Sequence, residues 1–475
     1  MSPADFLYAG LLFFSVAFGQ VVKINGSPEK RRLISTSLGV VIIIFVGGFG
    51  CFHAIVAGVV NALIIGFIDP SICHIASFIW GFGYIAFFRT CHFIGLPMPS
   101  PYSNAVQLLL TLKMVGIAFE VHDTDKRKRN IPSDEEEKAK HLLKCKYQDI
   151  HVSVVDIICY SFCYIGILTG PYYKYRTYHD MLHNSNAKNI DTIVPLWRRI
   201  RVLPLYFLPY LIGSQFFSLD YIRRGDLFAD PFWFRLLYMA ALSFIFRLRF
   251  YCGWILAECG CMTAGLGAYP AVTKPRCGAG PTDFEAFEEC YEMAPEGIAY
   301  NFETIHNIDE YGCETAVTNR RKMHHWNKSV QYWLSSNIYK RLTLVKSGAL
   351  KVAITMTVSA FWHGIHPGYF FSFLFVPLNL MAEDLMAAAF QHHAAPTQQK
   401  VFDWTAYFIN VRFFEYMAMG FMLLTYKDTM AYWSSIYFCG HILVVILIII
   451  GLLCQPKRSK KPKDERVSEE AKKKL

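Results

Sequence analysis

The chain is predicted to be an all-α, polytopic membrane protein, with about ten to twelve transmembrane helices forming a single membrane domain over residues 1–454. Apolar residues make up 53% of the 475 positions, with 39 phenylalanines. They fall in long unbroken blocks, which the polarity patterns of a soluble fold would interrupt. Ionisable residues are rare inside those blocks, and an intramembrane ionisable group marks a polar cavity or pathway.

Taken in order, Phe6–Val22 carries no charge, and no basic leader or small-residue cleavage pattern accompanies it, so it is read as a retained first helix. Leu33–Ile68 is uncharged for 36 residues, too long for one crossing of a roughly 30 Å core at about 1.5 Å per residue, and is read as two helices turning near Gly47-Gly48. Further spans are expected at 71–88, 104–119, 152–173, 202–219, 231–246, 250–272, 349–364, 367–382 and 405–426. The run ILVVILIIIGLL at 442–453 is the clearest span of all. Several of the others are short or carry a charge, which suits tilted, re-entrant or protein-covered segments.

Lys23, Lys30, Arg31 and Arg32 place the first loop in the cytosol and the N-terminus in the lumen. The segment 120–151 mixes KRKR (126–129) with SDEEE (133–137) and reads as a solvated cytosolic connector without a core. The basic segment 273–325 falls on the same side. So does the tail 455–475, which holds nine Lys/Arg and four Asp/Glu and is expected to be disordered beside anionic lipid. That tail has no interleaved aromatics, which speaks against nucleic acid as a partner. It ends KKKL, resembling the dilysine retrieval signal of endoplasmic reticulum membrane proteins.

Most of the 14 cysteines lie in apolar segments or in loops expected to be cytosolic, so reduced thiols are expected throughout. Cys259 and Cys261 are too few for a zinc site, and Gly364 and Pro367 end the helix between His363 and His366, so no metal is expected. His53, His74, His92 and His441 are single imidazoles on apolar stretches and read as packed core residues.

Two blocks stand out. SAFWHGIHPGYFFSFLF places the imidazole of His363 at membrane depth, and 36 residues upstream HHWNKSVQYWLSSNIY holds Asn327. Trp326, Val330, Trp333, Leu334 and Ile338 give the second block one apolar helical face, and Asn327, Gln331 and Ser335 give it a polar line. Its Trp and Tyr residues suit a headgroup boundary. Asn327-Lys328-Ser329 also has the form of a glycosylation sequon, which would require a lumenal position. A buried imidazole with an amide partner is sufficient for acyl transfer. The same residues would also serve a transporter's proton path, although no internal repeat supports that. A noncatalytic scaffold is a third reading.

HHWNKSVQYWL and SAFWHGIHPGYF resemble the signature blocks of the membrane-bound O-acyltransferase family, one carrying an Asn after Trp and the other a His before Gly. PYSNAVQLLLTLK (101–113), CYIGILTGPYYKYRTY (163–178), RLRFYCGWILAECGCMTAGLGAYP (247–270), NFETIHNID (301–309) and YWSSIYFCGH (432–441) resemble its phospholipid-remodelling branch. The likeness runs over nearly the whole chain and is weak at 120–151, 277–298 and the tail.

The resemblance implies an endoplasmic reticulum enzyme with a buried tunnel reaching His363. It implies transfer of a polyunsaturated acyl chain, arachidonoyl above all, from acyl-CoA to the sn-2 hydroxyl of lysophosphatidylinositol. Another lysophospholipid or a protein hydroxyl are the alternative acceptors. Acyl-CoA is then a co-substrate, and no cofactor is implied. A neutral imidazole at His363 would take the hydroxyl proton. Asn327 would either stabilise the carbonyl oxygen or orient the ring. Trp326 and Trp362 would exclude water, and Gln331 would line the substrate path. Arg320, Arg321, Lys322 and Lys328 are candidates to meet the CoA phosphates, or else a positive-inside cluster that only fixes topology.

Overall fold

The computed structural model describes residues 3–24, 26–184, 186–293, 297–391 and 394–455. The basic tail and its KKKL terminus lie outside the described residues.

The chain folds as packed helices. Among the described residues, six stretches are long and apolar enough to cross a membrane: Asp5–Ile24, Pro28–Phe67, Pro101–Arg129, Ile193–Arg223, Phe232–Thr263 and Pro367–Gln391. A bent pair, Tyr426–Ser435 with Cys439–Leu453 at 69°, makes a seventh if taken as one span. Cys73–Thr90 and Gly348–His363 are further helices at expected positions. The only sheet among the described residues is a two-stranded antiparallel pair, Tyr269–Pro270 with Tyr300–Asn301.

Several expected boundaries move. Segments 231–246 and 250–272 form one 32-residue helix, Phe232–Thr263, because Arg247 and Arg249 between them find partners in Glu314 and Asp5. The Leu33–Ile68 run breaks where expected, at Gly48 with φ 50°, yet both parts continue as one 40-residue stretch. The 442–453 run sits in a 15-residue helix, about 22 Å long and short of a full crossing by itself.

Segment 152–173 departs furthest from a simple span. A helix covers only Val154–Ser161, started by a reciprocal cap between Ser153 and Asp156. The irregular chain after it is buried in protein, where its polar groups find partners: the Tyr164 amide donates to Ser35, and the Tyr173 hydroxyl donates to the Ile165 carbonyl at 2.6 Å. Non-helical backbone is tolerated at membrane depth on that condition.

Residues 120–151 are not a coreless connector. The helix Pro101–Arg129 runs on through the basic cluster, and Glu135–Gln148 forms a second helix. Tyr147 is buried against Phe284 and Phe287, and its hydroxyl donates to Glu288. The segment 273–325 is likewise structured, with Asn307, Glu310 and Lys322 buried.

The first helix, Pro3–Ile24, packs on Phe232–Thr263 so closely that a Cβ at Gly19 would meet Thr263 Oγ1 at 2.1 Å. Two large apolar clusters form, one from the N-terminal helices and one around Pro367–Met386 and Pro396–Leu423. A third cluster joins Phe82, Leu112 and Val115 to Val330, Trp333, Leu334, Ile338 and Trp362. It brings the two signature blocks onto one helical wall.

Candidate active site

His363 is the last residue of the helix Gly348–His363, whose start is capped by Ser347 accepting from the Leu350 amide. The helix stops there because Gly364 is extended and Pro367 opens the next helix. Gly364 is also a packing requirement, since a Cβ would meet the Tyr369 ring at 2.2 Å. The imidazole stacks on Phe373 (5.0 Å between centroids) and meets Phe421 edge-on at 5.1 Å.

Asn327 precedes the helix Lys328–Asn337 in the left-handed conformation, φ 46° and ψ 53°. Asparagine is among the few residues with a side chain that adopt this region readily. Its side chain does not cap the helix and, among the described residues, has no hydrogen-bond partner.

Both groups line the same cavity of about 220 Å³. Its walls are mainly Phe, Trp, Met and other apolar side chains, and Trp326, Gln331 and Arg247 also line it. His363 and Asn327 are half-buried, open toward this space. An apolar cavity with a few convergent polar groups is the usual form of a small-molecule site, and here it suits an acyl chain brought to an imidazole.

A buried network fixes Asn327. The Asn307 carbonyl accepts from the Lys328 amide at 2.7 Å, and its side-chain Oδ1 accepts from both the amide and the hydroxyl of Ser329. Glu258, fully buried on Phe232–Thr263, accepts from the amides of Asn307 and Ile308 at 2.7 and 3.0 Å. Arg199 neutralises Glu258 at 2.6 Å and Glu310 at 2.8 Å. Ser329 is wholly buried and its hydroxyl is engaged, so the sequon is packed into the protein interior.

A second set of contacts fixes His363. The Trp362 indole N–H donates to the Leu108 carbonyl at 3.0 Å. Arg89, on Cys73–Thr90, donates to the carbonyls of Phe361, Trp362 and His363 at 2.7, 2.5 and 3.0 Å.

The remaining expected site residues separate. Trp326 and Gln331 line the cavity, while Trp362 packs behind it in the third cluster and anchors the helix. Trp333 is in the core, not at a headgroup boundary. The basic cluster is not brought to the cavity. Arg320 pairs with Asp384 at 2.7 Å, and Arg321 is exposed. Lys322 donates to the carbonyls of Cys313 and Glu314, and burial pushes its ammonium down to about 8. Lys328 pairs with Glu303 at 2.6 Å. Burial alone would raise the Glu303 carboxyl, but His306 and Lys328 hold it at about 2.

Of the charged residues within spans, Arg247 donates from Nε and Nη2 to Glu314, and Arg412 pairs with Glu415. Asn307 and Arg89 are the supports that sequence reasoning passed over. Arg89 carried a signal, a charge ending an apolar run; Asn307 carried none beyond its place in NFETIHNID.

Fold and cavity together define a polytopic helical membrane protein with an apolar site holding a histidine and an asparagine. The model of the membrane-bound O-acyltransferase family matches residues 99–426, and the chain belongs to that family. Among its relatives, the membrane-bound acylglycerophosphatidylinositol O-acyltransferase mboat7 of Xenopus laevis is 41% identical over 98% of both chains. The Homo sapiens protein of that name is 39% identical over 95% of this chain and 94% of its own. A Drosophila melanogaster protein with the same descriptive name is 32% identical over 96% of this chain and 94% of its own.

Proposed function

We propose that the chain is an acyl-CoA-dependent lysophosphatidylinositol acyltransferase of the endoplasmic reticulum membrane, moving a polyunsaturated acyl group, arachidonoyl above all, to the sn-2 hydroxyl in phospholipid remodelling. The observation that carries the reading is the cavity that His363 and Asn327 share. The names of the relatives, which span the chain nearly end to end, support the phosphatidylinositol headgroup.

In this mechanism the neutral His363 imidazole accepts the proton of the lysolipid hydroxyl as the oxygen attacks the thioester carbonyl. The carbonyl oxygen gains negative charge, and the free amide of Asn327 donates to it. The intermediate collapses with loss of CoA thiolate, a good leaving group that takes up the proton. Transfer is direct, with the lysolipid oxygen itself as the nucleophile; Ser359 and Ser372 also line the cavity, and the Ser372 hydroxyl is engaged in donating to the Met417 carbonyl at 2.6 Å. Trp326 and the surrounding rings keep out water that would hydrolyse the thioester.

The test is an assay of detergent-purified protein with arachidonoyl-CoA and lysophosphatidylinositol, lysophosphatidylcholine or lysophosphatidylserine in turn. The expected product is phosphatidylinositol, absent in His363→Ala. Activity retained in that variant overturns the mechanism. Product from another acceptor alone overturns the substrate and leaves the chemistry standing.

A further inference from the structure

We infer that Arg89 is a positioning residue for His363, an inference that rests on the catalytic reading of that histidine. The guanidinium donates to three successive carbonyls, those of residues 361, 362 and 363, at 2.5–3.0 Å. These are among the last carbonyls of a helix, which have no partner within it. They also carry the negative end of the helix dipole, where a cation is favoured. The planar fork of arginine holds several donors in a fixed geometry, which the rotatable ammonium of lysine does not.

Two further facts set Arg89 apart from an ordinary helix cap. Among the described residues no carboxylate pairs with it, so its charge in this apolar setting is balanced by backbone carbonyls and by Asn104, whose Oδ1 accepts from Nε at 3.1 Å. One of its three backbone acceptors is the carbonyl of His363 itself, so the clamp ends on the residue that lines the cavity. Trp362, bound to Leu108, fixes the same turn from a second side. Arg89 therefore sets where the imidazole stands relative to Asn327 without touching substrate. It lies outside the 99–426 stretch that matches the family, so this support comes from the N-terminal helices.

Misplacing a reacting group by about 1 Å costs on the order of 10²-fold in rate. Arg89→Ala is accordingly expected to lower kcat by about 10²-fold, with KM for arachidonoyl-CoA and for lysophosphatidylinositol within about twofold of the wild type. Arg89→Lys, which keeps the charge but loses the fork, is expected to recover about tenfold of that loss. Should Arg89→Ala not fold, Asn104→Ala serves instead. It frees one side of the guanidinium and is expected to lower kcat several-fold at unchanged KM.

A loss that appears in KM with kcat retained overturns the inference, as does wild-type kcat in folded Arg89→Ala, or in Asn104→Ala where Arg89→Ala does not fold. His363→Ala, assayed in parallel, separates the two claims. If it is inactive while Arg89→Ala is fully active, only the positioning role falls; if it is active, the catalytic reading falls first.

Discussion

Asn327 carries two demands at one position, an amide facing the cavity and a left-handed backbone. They can be separated. Alanine loses the amide and also pays for the positive φ, roughly 1–2 kcal/mol, whereas glycine loses only the amide. Asn327→Gly is therefore expected to melt at a higher temperature than Asn327→Ala, while both lose about 10²–10³ in kcat. Activity in the glycine variant would show that backbone shape, not the amide, is what the site needs there. The cavity wall offers a second test. Ala418 lines the same space as His363. Ala418→Phe is expected to depress turnover of arachidonoyl-CoA several-fold more than that of octanoyl-CoA, in side-by-side assays with the same lysolipid.

At the scale of elements, the signature residues were legible and their supports were not. A histidine in an apolar block needs a reason to be there, and an asparagine at the head of an amphipathic helix is visible from its neighbours alone. Asn307 and Glu258 act through backbone amides brought together from separate segments, and no local pattern announces that. Asn307→Ala would leave the buried amide of Ser329 without an acceptor, at a cost of about 1–3 kcal/mol. The expected result is a lowered melting temperature together with reduced kcat. Glu303 supplies a pH test in the same region. Its carboxyl is held at about 2, below its ordinary 4.5, so binding to Lys328 and His306 contributes stability that is full above about pH 4.5. That contribution is lost as the pH falls toward 2. Melting temperature measured across that window is expected to fall less steeply in Glu303→Gln than in the wild type.

For the whole molecule, hydropathy foretold a helical membrane bundle, while the course of individual segments depended on partners elsewhere in the chain. Phe232–Thr263 reads as two spans because of its arginines, and it is one helix because Glu314 and Asp5 meet them. The connector at 120–151 looked solvated on charge alone, and the buried Tyr147, together with Lys146, ties it to a helix some 140 residues later through Glu288. The Arg89 clamp bears on how the protein responds to its surroundings. A guanidinium held by backbone carbonyls has no titrating partner, and in this apolar setting mobile ions screen it little. Changes of acidity or ionic strength that weaken surface ion pairs should leave this joint intact. Solution-dependent changes in turnover would then report on the reacting groups and the charged substrate, not on loosening of the scaffold that holds them.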